Sequence, residues 1–480
     1  MLSVLMTTEG TYPYSAGGVS TWCDALLRNT PDVRWTLLPL MMNPHIEQQF
    51  HPPDNVRKVL DVPLWGIEEP AEFNPDVAFA QLYDRKRNTT AAAIEQTFVP
   101  LLRQLVRVIC DDPGDSATFG RVLTSLEDYF RTYDYNASFK SRAAWRAFRE
   151  TVEASTHMDA PTIFDLTECL RWLYHFLIVL TVRVPKTSVT HATAAAFCGI
   201  PCITAKVRHG TPMLLTEHGV YLREQYLFLS RFRRLFFCKQ FLLNLITAVA
   251  RANYYWADIV APVCHYNTRW EVAQDTPPGK IRVIYNGVDP EIFAASPKLH
   301  GDPHIVATAR IDPLKDIETL LRVAARLKTT HPRATFTVHG AVADEAYYRR
   351  CLALRRHLGV EETVRIGSAT DDVVGAYREA DVVLLTSISE AFPYSVIEAM
   401  SCEKAVVASD VGGVGEALEG CGVLVKPRDD EHFAAEVGKL LDNHSLRLKL
   451  GAKARARVLD EFRLDHTISR YLDLYQGMAA

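Results

Sequence analysis

"DVVLLTSISEAFPYSVIEAMSCEKAVVASD", residues 381–410, holds two short apolar runs separated by a helical pattern. The runs at 382–385 and 405–408 are too short for helices and end in polar residues, which is the pattern of strands buried on both faces of a parallel sheet. Pro393-Tyr394-Ser395 marks a helix start, because proline fits a first turn and breaks an interior. Glu390 then falls in the loop leaving the first strand, and Glu398 lies one turn into the helix. Units of this kind close with right-handed crossovers and bind ligands at the carboxyl ends of their strands.

Working outward, the same alternation runs back to about Pro303: "HIVATAR", a helix from Ile317, "TFTVHG", a helix around Tyr347, "TVRIG" and a helix around Val374. This cadence predicts an α/β, doubly wound parallel sheet whose rim carries "TAR", "VHG" with Gly340, "RIG" and "TSISE". Before it, "IRVIYNGVDPEIF" runs from a strand-like stretch into Asn-Gly and Asp-Pro turns, a domain boundary. The N-terminal half opens with a strand-like run and "YPYSAGGVSTWCDALL", whose Gly17-Gly18 pair precedes a helix starting near Ser20. Strand signals return at "SVTHATAAAF" and "PMLLTEHG". Ahead of these strands, residues of about 42–160 read as a helical insertion without strand alternation. The expected organisation is a Rossmann-like domain over 1–288, a second over 289–462, and a C-terminal helix over 463–480 that returns to the first.

Composition sets bounds on partners. With 48% hydrophobic and 23% charged residues and a net charge of -4, no global field draws the chain to nucleic acid. Ten cysteines at irregular spacing, with no Cys-x-x-Cys pair, read as reduced thiols rather than disulfides or structural zinc. The opening "MLSVLMTTEG" has neither the basic nor the long apolar region of a signal peptide, and the apolar stretches from Trp172 and Gln225 are too short or too charged to span a bilayer. A cytoplasmic location is expected.

The chemistry follows from the rim. A helix start at Tyr394-Ser395 favours an anion, most often phosphate. Arg310 and Lys315 in "ARIDPLKD" offer a planar fork and a mobile point charge, which together suit a diphosphate. Glu398 can accept two hydrogen bonds from vicinal ribose hydroxyls, and Glu390 can grip a sugar. Sugar, diphosphate and ribose add up to a nucleotide sugar. Each signal alone is commonplace, since an isolated glutamate pair, solvated turn, strand-end His218 or glycine pair usually has only a structural meaning. Their convergence on strand ends carries the reading.

"ARIDPLKDIETLL", "GSATDDVVGAYREADVVLLTSISEAFPYSVIEAM", "AVVASDVGGVGEAL" and "VIYNGVD" together resemble family 4 of the retaining glycosyltransferases, which have the GT-B fold. "TEGTYPYSAGGVSTWCDALL", "FDLTECLRWLYHFL" and "MLLTEHGVYLREQ" are similar to members that serve exopolysaccharide synthesis. The resemblance implies that Glu390 contacts the donor sugar and Glu398 the ribose. It implies that Arg310 and Lys315 neutralise the leaving diphosphate, helped by the backbone of Tyr394 and Ser395 and by Gly17, Gly18 and Gly340. It further implies that His218 lines the catalytic centre and that His191 stands beside the acceptor. The implied reaction is metal-independent transfer of a hexosyl unit, from UDP-glucose or a related UDP-sugar to a saccharide acceptor, without a cofactor. Where the family reads Glu-Gly-Phe-Gly, this chain has Glu390-Ala391-Phe392-Pro393, and Pro393 has no N–H to donate. Two alternatives stay open: a sugar phosphorylase of the same fold, using inorganic phosphate, and a nucleotide-sugar-binding scaffold without activity.

"SRFRRLFFCKQFLL", residues 230–243, mixes Arg231, Arg233, Arg234 and Lys239 with Phe232, Phe236, Phe237 and Phe241. It reads as a domain helix with a solvated basic edge. The competing role is docking to a membrane surface or to membrane-bound exopolysaccharide synthesis partners.

Overall fold

The computed structural model describes residues 2–67, 69–70, 77–230, 236–295, 301–368, 370 and 372–480. The chain divides into two compact units, the first comprising Met1–Pro262, Thr268–Arg282 and Tyr471–Ala480, the second Val263–Asn267 and Val283–Arg470.

The first unit is built on a parallel sheet of β1 (Ser3–Glu9), β2 (Arg34–Met41), β3 (Val56–Val59), β4 (Val62–Pro63), β5 (Val189–Ala192), β6 (Met213–Glu217) and β7 (Ile259–Pro262). The strands lie in the order β3-β2-β1-β5-β6-β7, with β4 also paired to β2. The chain winds outward from β1 in one direction and from β5 in the other, so the strand order reverses between β1 and β5.

Helices Val99–Asp111, Ser116–Thr132, Arg142–Glu153 and Ile163–Phe176 form a layer inserted between β4 and β5. Their starts are capped: Asp115 accepts from Thr118 N–H at 3.0 Å, Ser141 from Ala144 N–H at 3.1 Å, and Thr162 with Asp165 forms a reciprocal capping box. Their apolar faces bring Leu102, Leu105, Phe119 and Phe148 into one core with the long helix Phe236–Trp256, where Phe148 meets Phe241 at 5.8 Å.

Two expectations need correction here. Residues 42–160 are not wholly helical, because β3 and β4 extend the sheet before the helices begin at Phe79. The stretch "IRVIY" before the Asn-Gly turn is not a strand, since Ile281 makes an isolated bridge to Val260 and no named strand is formed there.

The second unit holds β8 (His304–Thr308), β9 (Thr335–His339), β10 (Val364–Ser368), β11 (Val382–Leu385), β12 (Ala405–Ser409) and β13 (Val423–Val425). All pairings are parallel, in the order β10-β9-β8-β11-β12-β13. The sequence alternation predicted this doubly wound α/β sheet. Strands β11 and β12 are apolar almost throughout because both faces are covered: Val382, Leu384, Ala405 and Val407 join one core, while Val383, Leu385, Val406 and Ala408 join the other. The order reverses between β8 and β11, and open α/β sheets bind ligands outside the strand ends at such a switch point.

Among the described residues, no helix is long and apolar enough to cross a membrane. All ten cysteines are free and buried. Of the basic segment, Arg231, Phe232, Arg233 and Arg234 lie outside the described residues. Phe237 and Phe241 are buried in the first unit, whereas Phe236 is exposed.

Candidate functional site

At the switch point of the second unit, the loops leaving β8 and β11 are stitched together. Ile388 N–H donates to Leu314 O at 2.8 Å, and Thr386 Oγ1 donates to Lys315 O at 3.1 Å and Asp316 O at 3.0 Å. Asp316 adopts a left-handed conformation at φ 45°, which turns the chain into the helix Ile317–Thr330 and leaves Lys315 at the rim. Lys315 Nζ meets Glu390 Oε1 at 2.5 Å, with both side chains largely shielded. Such a pair is held by charge and partial desolvation together, so its geometry is set before any ligand arrives. Arg310 is more exposed and stands 3.5 Å from Asp312.

The helix Tyr394–Ser401 follows directly, with Pro393 at its N-cap, so Tyr394 and Ser395 form its first turn and their N–H groups point out of the helix end. Glu398 sits on this helix and accepts from Tyr377 OH at 2.9 Å. The same phenol lies 2.5 Å from Thr308 Oγ1 and 3.3 Å from Ser395 O, tying the end of β8 to the helix. Burial raises the Glu398 carboxyl to about 7, partly countered by the Tyr377 hydrogen bond.

Local spacing does not reveal Tyr377, because it lies on a different helix, Val373–Glu379. Gly412 and Gly413 follow β12 and approach the loop that carries Glu390. An added Cβ at Gly412 would stand 1.7 Å from Glu390 O, and Gly413 N–H donates to Ala391 O at 2.7 Å. The glycine pair lets this loop press on the Glu390 backbone and fix it. Gly340 has a similar meaning, since a Cβ there would lie 2.0 Å from Ala309 O. Its position therefore reflects close approach of the β8 and β9 loops. Ser387 Oγ and Ser409 Oγ are buried at the ends of β11 and β12 and have no hydrogen-bond partner among the described residues.

In the first unit, Gly17 and Gly18 are exposed, and Gly17 caps the helix Gly18–Arg28 with open space where a side chain would be. Glu9 ends β1, where its two oxygens accept from Cys198 N–H and Tyr221 OH, both at 3.0 Å, and burial raises its carboxyl. His218 follows β6, its ring set edge-on against Trp22 at 4.6 Å. The residue keeps some surface, yet its Nε2 is enclosed and has no hydrogen-bond partner among the described residues. Burial lowers its pKa to about 3, so the imidazole is neutral near pH 7.

His191 differs from the expectation. It is fully buried, with Nδ1 2.7 Å from Tyr475 OH and Nε2 2.8 Å from Thr216 Oγ1, and Tyr471 OH extends this network to Thr216 at 3.0 Å. Both nitrogens are used inside the core, so His191 cannot line an acceptor surface. Its pKa falls to about 3, mainly through burial and then through the charge of His218.

Two parallel α/β units, each with a strand-order switch point, are the architecture of the GT-B fold. Residues 2–279 match the family described as Domain of unknown function (DUF3492), and residues 288–457 match Glycosyl transferases group 1. The chain belongs to the DUF3492 family and carries a group 1 glycosyl transferase domain.

A D-inositol 3-phosphate glycosyltransferase from Salinispora tropica is 31% identical over 228 residues, covering 42% of this chain and 47% of that relative. The chain thus spans about half the length of that curated relative. Sucrose-phosphate synthase from Thermosynechococcus elongatus superposes with a TM-score of 0.62 at 17% identity, covering 100% of this chain and 99% of its own. HepE from Anabaena, solved in complex with UDP-glucose, gives a TM-score of 0.61 at 14% identity, covering 99% and 100%. At these identities the structural likeness concerns the fold.

Proposed function

We propose that the protein is a retaining glycosyltransferase that moves a hexosyl unit from a UDP-sugar, UDP-glucose or a close relative, to a saccharide acceptor in exopolysaccharide synthesis. The observation that carries this is the rim of the second unit: Lys315 locked to Glu390 at 2.5 Å, beside a helix start and a half-buried Glu398 held by Tyr377. The group 1 match over this region and the UDP-glucose complex of HepE support the donor class. For the pathway, the N-terminal motifs around Gly17, Gly18 and His218 resemble PelF, the transferase of Pel exopolysaccharide biosynthesis.

In this reading Glu398 accepts the ribose hydroxyls, and the N–H groups of Tyr394 and Ser395 face the phosphates. Lys315 and Arg310 offset the negative charge that grows on the departing diphosphate, which is the work a cation would otherwise do. Glu390 orients the donor sugar and keeps Lys315 aimed. The acceptor hydroxyl attacks the anomeric carbon on the face the diphosphate leaves, passing its proton to a diphosphate oxygen. His218, neutral, keeps hydrogen-bonding capacity at Nε2, and Gly17-Gly18 leaves open space at the start of its helix.

The test is incubation with a panel of UDP-sugars and short oligosaccharides in the presence of EDTA, reading UDP release and the anomer formed by NMR. Transfer with retained configuration is expected. A strict magnesium or manganese requirement, or inverted product, contradicts the mechanism.

A further inference from the structure

In the first unit, the inserted helices border an open recess of about 840 Å3, lined by Glu69, Asn136, Lys140, Trp145, Arg171 and Tyr174 among other described residues. Its volume lies in the range of small-molecule sites.

Its walls are fixed by hydrogen bonds. Tyr174 OH donates to Asn136 Oδ1, Asn136 Nδ2 donates to Glu69 Oε2 at 2.9 Å, and Lys86 Nζ closes the string at Glu69 Oε1 at 2.8 Å. Tyr135 OH donates to Tyr174 O at 2.5 Å, and Tyr135 and Phe139 pack on the Tyr174 ring at 5.2 and 5.9 Å. Lys140 Nζ stands 5.3 Å from the centre of that ring. His175 Nδ1, 2.7 Å from Leu64 O, ties the recess to the residue after β4, at the carboxyl edge of the sheet.

The lining selects a ligand class. Tyr174 and Trp145 supply flat apolar surface of the kind a pyranose ring can stack on, while the amide and carboxylate of Asn136 and Glu69 pair with hydroxyls that both donate and accept. Lys86 already offsets Glu69, and Arg171 keeps most of its surface exposed beside Glu168 at 3.4 Å. With Glu69 met by Lys86 and Glu168 by Arg171, Lys140 leaves an excess of positive charge for an acidic group. We propose that this recess is a saccharide-binding site that takes a short acidic oligosaccharide.

The saccharide class rests in part on the glycosyltransferase reading, so binding is measured without nucleotide sugar and its failure is distinguishable from failure of transfer. Calorimetry on the full chain would compare tetragalacturonate with neutral maltotetraose and cellotetraose. The acidic tetrasaccharide is expected to bind, and its affinity to fall about tenfold or more in Lys140→Glu/Arg171→Glu and separately in Trp145→Ala, at unchanged melting temperature for the charge variant. No binding of tetragalacturonate, equal binding by native and charge-reversed protein, or neutral sugars binding as tightly as the acidic one would overturn the proposal.

Discussion

The carboxyl edges of the two sheets handle their polar groups in opposite ways. In the second unit the side chains answer one another, Lys315 to Glu390, Glu398 to Tyr377 and Tyr377 in turn to Thr308, so charge is fixed in place ahead of any ligand. In the first unit two histidines with equally lowered pKa part company: His191 spends both nitrogens on Tyr475 and Thr216, while His218 keeps Nε2 enclosed with no partner among the described residues. Burial alone therefore does not mark a functional group. The remaining hydrogen-bonding capacity separates a core histidine from one that can serve a ligand.

The largest effect that would sharpen this contrast is expected from Lys315→Ala. Turnover at saturating UDP-glucose should drop roughly a hundredfold or more, since charge stabilisation grows as the bond breaks. Near-normal UDP release would remove Lys315 from the chemistry. His191→Ala should instead act on stability, by about 3 kcal/mol, because it opens a cavity and strands the Tyr475 and Thr216 hydroxyls.

The pH dependence of that loss has a definite sign. Below about pH 6.5 the unfolded chain binds protons that the folded one refuses, so each buried histidine costs the native state up to about 1.4 kcal/mol per pH unit. The stability gap between native protein and His191→Ala should narrow as pH falls from about 6.5 to about 5 in urea melts. A gap that widens would mean that His191 is charged in the folded state.

Glu398→Ala should weaken UDP binding by about 2 to 3 kcal/mol in calorimetry, through loss of two charge-assisted hydrogen bonds. An unchanged affinity would remove the ribose role. Tyr377→Phe should cost about 1 kcal/mol of the same affinity, as Glu398 loses the phenol that orients it. An effect on melting temperature alone would make Tyr377 a packing residue.

The second sheet was readable because its central strands β11 and β12 are short apolar runs covered on both faces, with Val382 and Val383 facing different cores. Strands β3 and β4 were not: "VRKV" carries two charges at the sheet edge, and β4 has only two residues, so the chain there looks like a polar connector. The glutamate pair, Arg310 and Lys315 were visible as residue types at strand ends. What local pattern could not supply is partnership across elements. Tyr377 reaches Glu398 from another helix, Gly412 presses on Glu390 from the next strand's loop, and Tyr475 closes over His191 from the far end of the chain. His191 and His218 look alike in sequence, each at a strand end, and only the packing of the C-terminal helix distinguishes them.

The most direct test of the donor site is the pH dependence of UDP binding to native protein and Glu398→Gln. With the free Glu398 carboxyl at about 7, binding through ribose hydroxyls requires it to release its proton below that pH. Native affinity should therefore weaken by up to about tenfold per pH unit between about pH 7 and 6 relative to Glu398→Gln, whose side chain does not titrate. Parallel pH curves for the two proteins would contradict the account.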